Sequence, residues 1–154
     1  MNNEEHNMSD TSAAPKALKT APSGIIEKVA LTLVRDQALL FARSKGQTLF
    51  YTLGGKIDEG ETQAEALMRE SDEEGDIQLL FNTIEHLHTF EGPCHGYVEG
   101  TVLKMYCYDA DYIGMLTPRN EVEELAWFTT ADMHRTTPMG QEILRWFNRQ
   151  GLIA

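Results

Sequence analysis

Residues 53–76 read LGGKIDEGETQAEALMRESDEEGD. Gly54 and Gly55 break an apolar run, and a polar loop carries the chain on to Glu61. Thr62 and Glu65 have the T-x-x-E spacing of a capping box, in which each side chain satisfies a free backbone donor of the other. This predicts a helix beginning at Thr62. Ala64, Leu67, Met68 and Ser71 then recur at i, i+3, i+4 and i+7, one face of that helix. Its end is expected near Glu74–Gly75, with Gly75 taking the left-handed terminating conformation.

Between residues 56 and 76 nine acids stand against two bases, Lys56 and Arg69, which is −7 of the chain's net −11. Most charge runs are solvated helix faces. Here the opposite face is apolar, so the helix is expected to be docked. Glu70, Glu73 and Glu74 stand at i, i+3 and i+4, a spacing at which like charges repel unless something holds them. Clustered carboxylates suit hard cations such as Mg²⁺ or Mn²⁺. Asp58-Glu59-Gly60 lacks the alternating ligands of an EF-hand loop. Arg69 lies four residues before Glu73 and is placed to pair with it or with Glu61.

The positions Gly55, Glu61, Arg69-Glu70 and Glu73-Glu74, at their spacing, resemble the Nudix box, G-x5-E-x7-R-E-U-x-E-E-x-G-U, where U is a large aliphatic residue. The resemblance extends over roughly residues 24–150 and includes Asn120 to Phe128. It implies an α+β Nudix fold, a mixed β-sheet sandwiched between α-helices. It also implies a MutT-type hydrolase that cleaves a nucleoside diphosphate linked to another group, using Mg²⁺ or Mn²⁺. Carried onto this chain, the metal ligands are Glu70, Glu73, Glu74 and the backbone carbonyl of Gly55. The catalytic set is Glu61, Arg69, Glu70, Glu73 and Glu74, with Lys56 and Gly55 at the substrate. The base that activates water is left open among Glu61, Glu73, Glu121, Glu123 and Glu124. Ser71 stands where the box has an aliphatic residue, and Asp76 where it has glycine, with Gly75 one place early. Neither is a ligand position.

The nucleotide is expected to be a nucleoside triphosphate or a related compound. ADP-ribose or a nucleotide sugar is the alternative, because Pro93 lies near a proline that ADP-ribose-hydrolysing members often carry. A non-catalytic Nudix-fold nucleotide-binding or regulatory module would be marked by loss of Glu70, Glu73 or Glu74, and all three are present. A homodimer is left open.

Outward from the box, residues 1–23 read as a disordered tail and 24–154 as a single domain. Val29 to Val34, Ala38 to Ala42 and Thr48 to Leu53 read as a meander of short strands, with a tight turn at Arg35-Asp36. Ile77 to Phe81, Ile84 to Phe90, Thr101 to Tyr108 and Leu125 to Phe128 read as further strands. Thr137-Pro138 is a cap followed by proline at the first helical position, and the last helix is expected to stop at Gly151. His86 and His88 would share one strand face, a weak zinc pair without a third ligand. Trp127-Phe128 and Trp146-Phe147 read as core.

The 154 residues are 42% hydrophobic and 24% charged, the mix of an ordinary globular domain. A net charge of −11 speaks against binding nucleic-acid backbones or anionic membranes, which need Lys and Arg. No apolar run approaches a bilayer span. Cys94 and Cys107 are too few for a disulfide framework and are expected to be free thiols. Met1 to Asp10 holds three acids and no Lys or Arg, unlike a signal or transit peptide, so a cytoplasmic location is expected.

Overall fold

A computed structural model describes residues 17–154. The elements, in order, are β1 (Ile25–Leu31), β2 (Val34–Arg35), β3 (Ala38–Ser44), β4 (Leu53–Lys56), α1 (Gln63–Gly75), β5 (Gln78–Leu79), β6 (Glu85–Pro93), β7 (Val102–Asp109), β8 (Tyr112–Ile113), β9 (Val122–Phe128) and α2 (Pro138–Arg149). Short 3₁₀ turns cover Phe81–Thr83 and Thr130–Arg135.

The main sheet has the order β4-β1-β7-β6. β1 runs antiparallel to β4 and parallel to β7, so this sheet is mixed. A second sheet has the order β2-β3-β9, and β5 pairs with β8. Alternation along β1 divides the core in two. Val29 and Leu31 face Leu53 and the α1 residues Ala66 and Leu67. Ala30 faces the opposite way, with Leu103, Met105 and Cys107 of β7 and with Ile143, Leu144 and Phe147 of α2. The sheet is thus sandwiched between helices, because side chains of a strand alternate between its faces.

Several readings change. The first strands form no continuous meander: β3 pairs with β2 and β9, while β1 takes β4 and β7 as neighbours. The expected strand at 48–53 is reduced to single bridges at Phe50 and Tyr51, ahead of β4. Ile77 to Phe81 holds only the two-residue β5 and then turns. The turn after β2 falls one residue late, with Asp36 and Gln37 both at positive φ. Of the residues read as a tail, 1–16 lie outside the described residues. The next stretch is tied down: the Lys19 amide donates to Gly96 O at 3.0 Å, and the Val98 amide donates to Lys19 O at 2.9 Å.

The end of α1 also differs. Gly75 stays inside the helix, buried, where a β-carbon would press on Leu53 Cδ2 at 3.3 Å. Asp76 takes the left-handed position, φ 56°. The loop 117–120 makes this stop workable. Thr117 N donates to Gly75 O, Arg119 N to Glu74 O and Asn120 Nδ2 to Glu73 O, while Asp76 N donates to Asp72 O. All four terminal carbonyls, which a helix leaves without partners of its own, are thereby satisfied. The N-terminus is as expected: Thr62 Oγ1 accepts from the Glu65 amide at 3.1 Å.

Candidate active site

The β4 strand, the loop after it and α1 bring the box residues together around one guanidinium. Arg69 Nε donates to Glu61 Oε2 at 2.8 Å and Nη2 to Glu61 Oε1 at 2.9 Å, a fork-to-fork pair. Nη1 reaches Glu70 Oε1 at 2.9 Å and Glu73 Oε2 at 3.3 Å. Nη2 also donates to the carbonyl of Lys56 at 3.0 Å. One side chain therefore ties the loop to two turns of helix. Both the Arg69 and the Glu61 ionised forms are favoured. Arg69 is pushed up chiefly by its bond to Glu61, and Glu61 is pulled down chiefly by Arg69.

Glu70 and Glu74 lie on the inner side of the helix. Burial raises the Glu70 carboxyl against the pull of Arg69. Glu74 is buried more deeply, and burial pushes it to about 8, opposed by the Gly54 amide, which donates to its Oε2 at 3.0 Å. Both glycines of the loop are required. At Gly54, φ 144°, a β-carbon would stand 2.0 Å from the Val29 carbonyl oxygen. At Gly55 it would stand 2.6 Å from the Glu70 carboxylate.

The donor set fits a hard divalent cation. Two half-buried to buried carboxylates, Glu70 and Glu74, stand against a glycine whose missing side chain leaves room, and burial of Glu74 disfavours its charge unless a cation or a proton offsets it. Glu73 is exposed at the same edge. In the arrangement seen here the carboxylates turn to Arg69 and to the Gly54 amide, and among the described residues no three ligating side chains share one centre.

The remaining candidates separate by position. Both oxygens of Glu61 are engaged by Arg69, and Oε1 also accepts from the Asp58 amide at 2.8 Å. Glu123 and Glu124 pair with Arg43 at 3.1 and 3.2 Å on the β3–β9 sheet. Glu121 is exposed and, with Glu74, raises the Tyr51 phenol, which burial first lifts to about 12. His86 and His88 do not form a pair. A register shift falls between them; His86 bonds Thr89 Oγ1 and His88 stacks on Trp146. Cys94 and Cys107 are free and buried, as expected. Trp127 and Trp146 are only half-buried, packed at the edges of the two cores.

A cavity of about 130 Å³ opens on the α2 side of the sheet. Its wall includes Lys28, Tyr51, Cys94, Met105, Met139 and Ile143. Tyr51 of its wall lies three residues before Gly54, whose amide bonds the Glu74 carboxylate. None of these wall residues carries a local sequence signal. They come from β1, the 50–52 segment, the turn after β6, β7 and α2, and only the strand order brings them together.

A family model described as NUDIX domain matches residues 27–147. No curated protein matches the chain. Among solved structures, the ORF135 protein of E. coli is 26% identical, covers 81% of this chain and 89% of its own, and has a TM-score of 0.64. A MutT NUDIX hydrolase from Burkholderia pseudomallei is 23% identical over 79% of this chain and 96% of its own, with a TM-score of 0.65. A MutT protein from Methanosarcina mazei Go1 shares the fold at 15% identity, covering 82% and 95%, with a TM-score of 0.65. Among the described residues, no helix is long and apolar enough to cross a membrane.

Proposed function

Because this chain belongs to the Nudix family and is a hydrolase of phosphoric anhydrides, we propose that it is a divalent-metal-dependent nucleotide pyrophosphohydrolase whose substrate spans the α1 carboxylate edge and the α2-side cavity. One observation supports this reading above the others: Arg69 gathers Glu61, Glu70 and Glu73 at a single edge, beside buried Glu74 on the Gly54 amide.

Glu70, Glu74 and the Gly55 carbonyl would hold Mg²⁺ or Mn²⁺. Such an ion, when bound, lowers the pKa of water and offsets charge on the phosphoryl oxygens. The chain's own residues do the rest. Arg69 and Glu61 act through others: they fix the loop and the helix so that Glu70 faces bare Gly55. Glu73, exposed and held by Arg69 alone at 3.3 Å, is the carboxylate we assign to take the proton of the attacking water. Lys56 reaches the phosphates from the end of β4, and the apolar wall formed by Met105, Met139 and Ile143 takes the nucleoside. The buried wall excludes water from one side of the diphosphate.

The test is a panel of nucleoside triphosphates, nucleoside diphosphate sugars and ADP-ribose, assayed for phosphate or pyrophosphate release with Mg²⁺, with Mn²⁺ and with excess chelator. Metal-dependent release from a nucleotide supports the reading. Full release in excess chelator, or release from no nucleotide in the panel, overturns it.

A further inference from the structure

Lys28, which lines the α2-side cavity, is joined by two more lysines although the chain carries a net charge of −11. Lys28 and Lys56 are directly opposed across β1 and β4. Like charges directly opposite one another destabilise a sheet. Lys19 arrives from the segment before β1, fixed there by its backbone bonds to Gly96 and Val98. The Lys56 ammonium stands 5.3 Å and the Lys19 ammonium 5.9 Å from the centre of the Tyr97 ring, so two cations share one aromatic residue. Lys28 and Cys94 both line the cavity, and burial raises the Cys94 thiol against the charge of all three lysines. None of the three is in an ion pair among the described residues; the lysine ion pair found there is Lys104–Glu91, 3.5 Å. The Tyr97 hydroxyl is buried and has no hydrogen-bond partner.

Three clustered ammonium groups without carboxylate partners among the described residues, two of them forced into opposition by the sheet register, form a site for an anion of high charge. Only Lys56 belongs to the box; Lys19 lies ahead of the stretch matched by the family. We propose that Lys19, Lys28 and Lys56 form a polyphosphate clamp, which selects a substrate with three phosphates over a diphosphate capped by a sugar; this rests on the nucleotide reading above. The charge count favours it. A nucleoside triphosphate carries close to four negative charges at neutral pH, whereas a sugar-capped diphosphate carries two. Cations on the carboxylate side can offset the latter alone, while the former leaves charge for the lysines to meet.

The direct test is calorimetric binding of inorganic tripolyphosphate to the full chain in excess chelator, which needs no turnover. Lys19→Gln and Lys28→Gln should each bind it about five- to tenfold more weakly than the unaltered chain, the scale of one solvent-exposed hydrogen bond. Lys104→Gln, which removes a lysine already paired with Glu91, should bind it as the unaltered chain does. In steady-state assays with Mg²⁺, Lys19→Gln should raise KM for a nucleoside triphosphate by a similar factor. It should leave kcat within about twofold and leave the constants for a sugar-capped diphosphate unchanged. The proposal is overturned if the unaltered chain does not bind tripolyphosphate, or if Lys19→Gln and Lys28→Gln bind it as well as Lys104→Gln does. Weakened tripolyphosphate binding in both variants upholds the clamp even if the nucleotide panel shows no hydrolysis, a result that would count against the substrate reading alone.

Discussion

Gly55 and Glu70 approach so closely that a β-carbon on residue 55 would lie 2.6 Å from the Glu70 carboxylate oxygen. The glycine is there for space, not for backbone freedom, since its φ is not positive. Gly55→Ala should therefore fold, displace the Glu70 carboxylate and disturb the edge that we assign to the metal. We expect kcat/KM to fall about 10- to 100-fold, the usual effect of disturbing a ligand's surroundings, and the half-saturating Mg²⁺ concentration to rise. An unchanged Mg²⁺ requirement would remove Glu70 from the ligand set.

Arg69 has a different role from a phosphate-binding arginine, and its substitution separates the two. Arg69→Lys keeps a positive charge but loses the fork to Glu61 and reaches at most part of the set formed by Glu70, Glu73 and the Lys56 carbonyl. A positioning role predicts a fall in kcat of about 10- to 100-fold with KM little changed. It also predicts a loss of stability of roughly 1–3 kcal/mol, because the loop to Glu61 is released. A rise in KM alone, with normal stability, would mean that Arg69 binds substrate directly.

Ser71 is fully buried, 0% exposed, and its hydroxyl finds no partner, not even the carbonyl four residues back. An unsatisfied buried hydroxyl costs about 1–3 kcal/mol. Alanine also favours a helix interior over serine, by roughly half a kcal/mol. Ser71→Ala should thus raise stability by about 1–2 kcal/mol in chemical denaturation and leave kcat unchanged. A destabilised variant would show that the hydroxyl is satisfied after all.

Much of α1 was legible because its signals are local. The Thr62–Glu65 box, the apolar period and the Arg69–Glu61 pairing depend on residues less than ten apart, and a helix brings such residues together by its own geometry. The helix ends at Gly75 as expected, but the left-handed position falls one residue later, at Asp76. Gly75 has a packing role against Leu53, and Asp76 is held in the left-handed position by contacts from residues 117–120, more than forty positions away. The strand order was not legible for the same reason. Nothing near Ile25 announces that β1 will lie parallel to β7, and that pairing is what places Lys28 beside Leu103, Met105 and α2. The zinc pair failed on a single register shift between His86 and His88.

Glu74 offers the sharpest test, because its two expected effects are read under opposite conditions. Its carboxyl is pushed to about 8 by burial, from an ordinary value of 4.5. Without metal, the folded chain keeps a proton between these two pH values that the unfolded chain releases. The contribution of Glu74 to stability is therefore fullest below about 4.5 and is lost as pH rises toward about 8, by an amount on the order of a few kcal/mol. Glu74→Gln keeps an oxygen for the Gly54 amide but has no charge to bury. In excess chelator, thermal unfolding at pH 5.5 and 8.5 should show a large fall in Tm for the unaltered chain and a smaller one for Glu74→Gln. With saturating Mg²⁺ the order reverses in activity: loss of a ligand should lower kcat by at least ~10²-fold, since metal stabilisation of transition-state charge amounts to several kcal/mol. Glu65→Gln is the matched control, on the same helix but at its cap, and should change stability slightly and kcat little. Parallel Tm profiles for the unaltered chain and Glu74→Gln would show that the Glu74 carboxyl is not held protonated, and equal activity losses in Glu74→Gln and Glu65→Gln would make the effect one of helix structure.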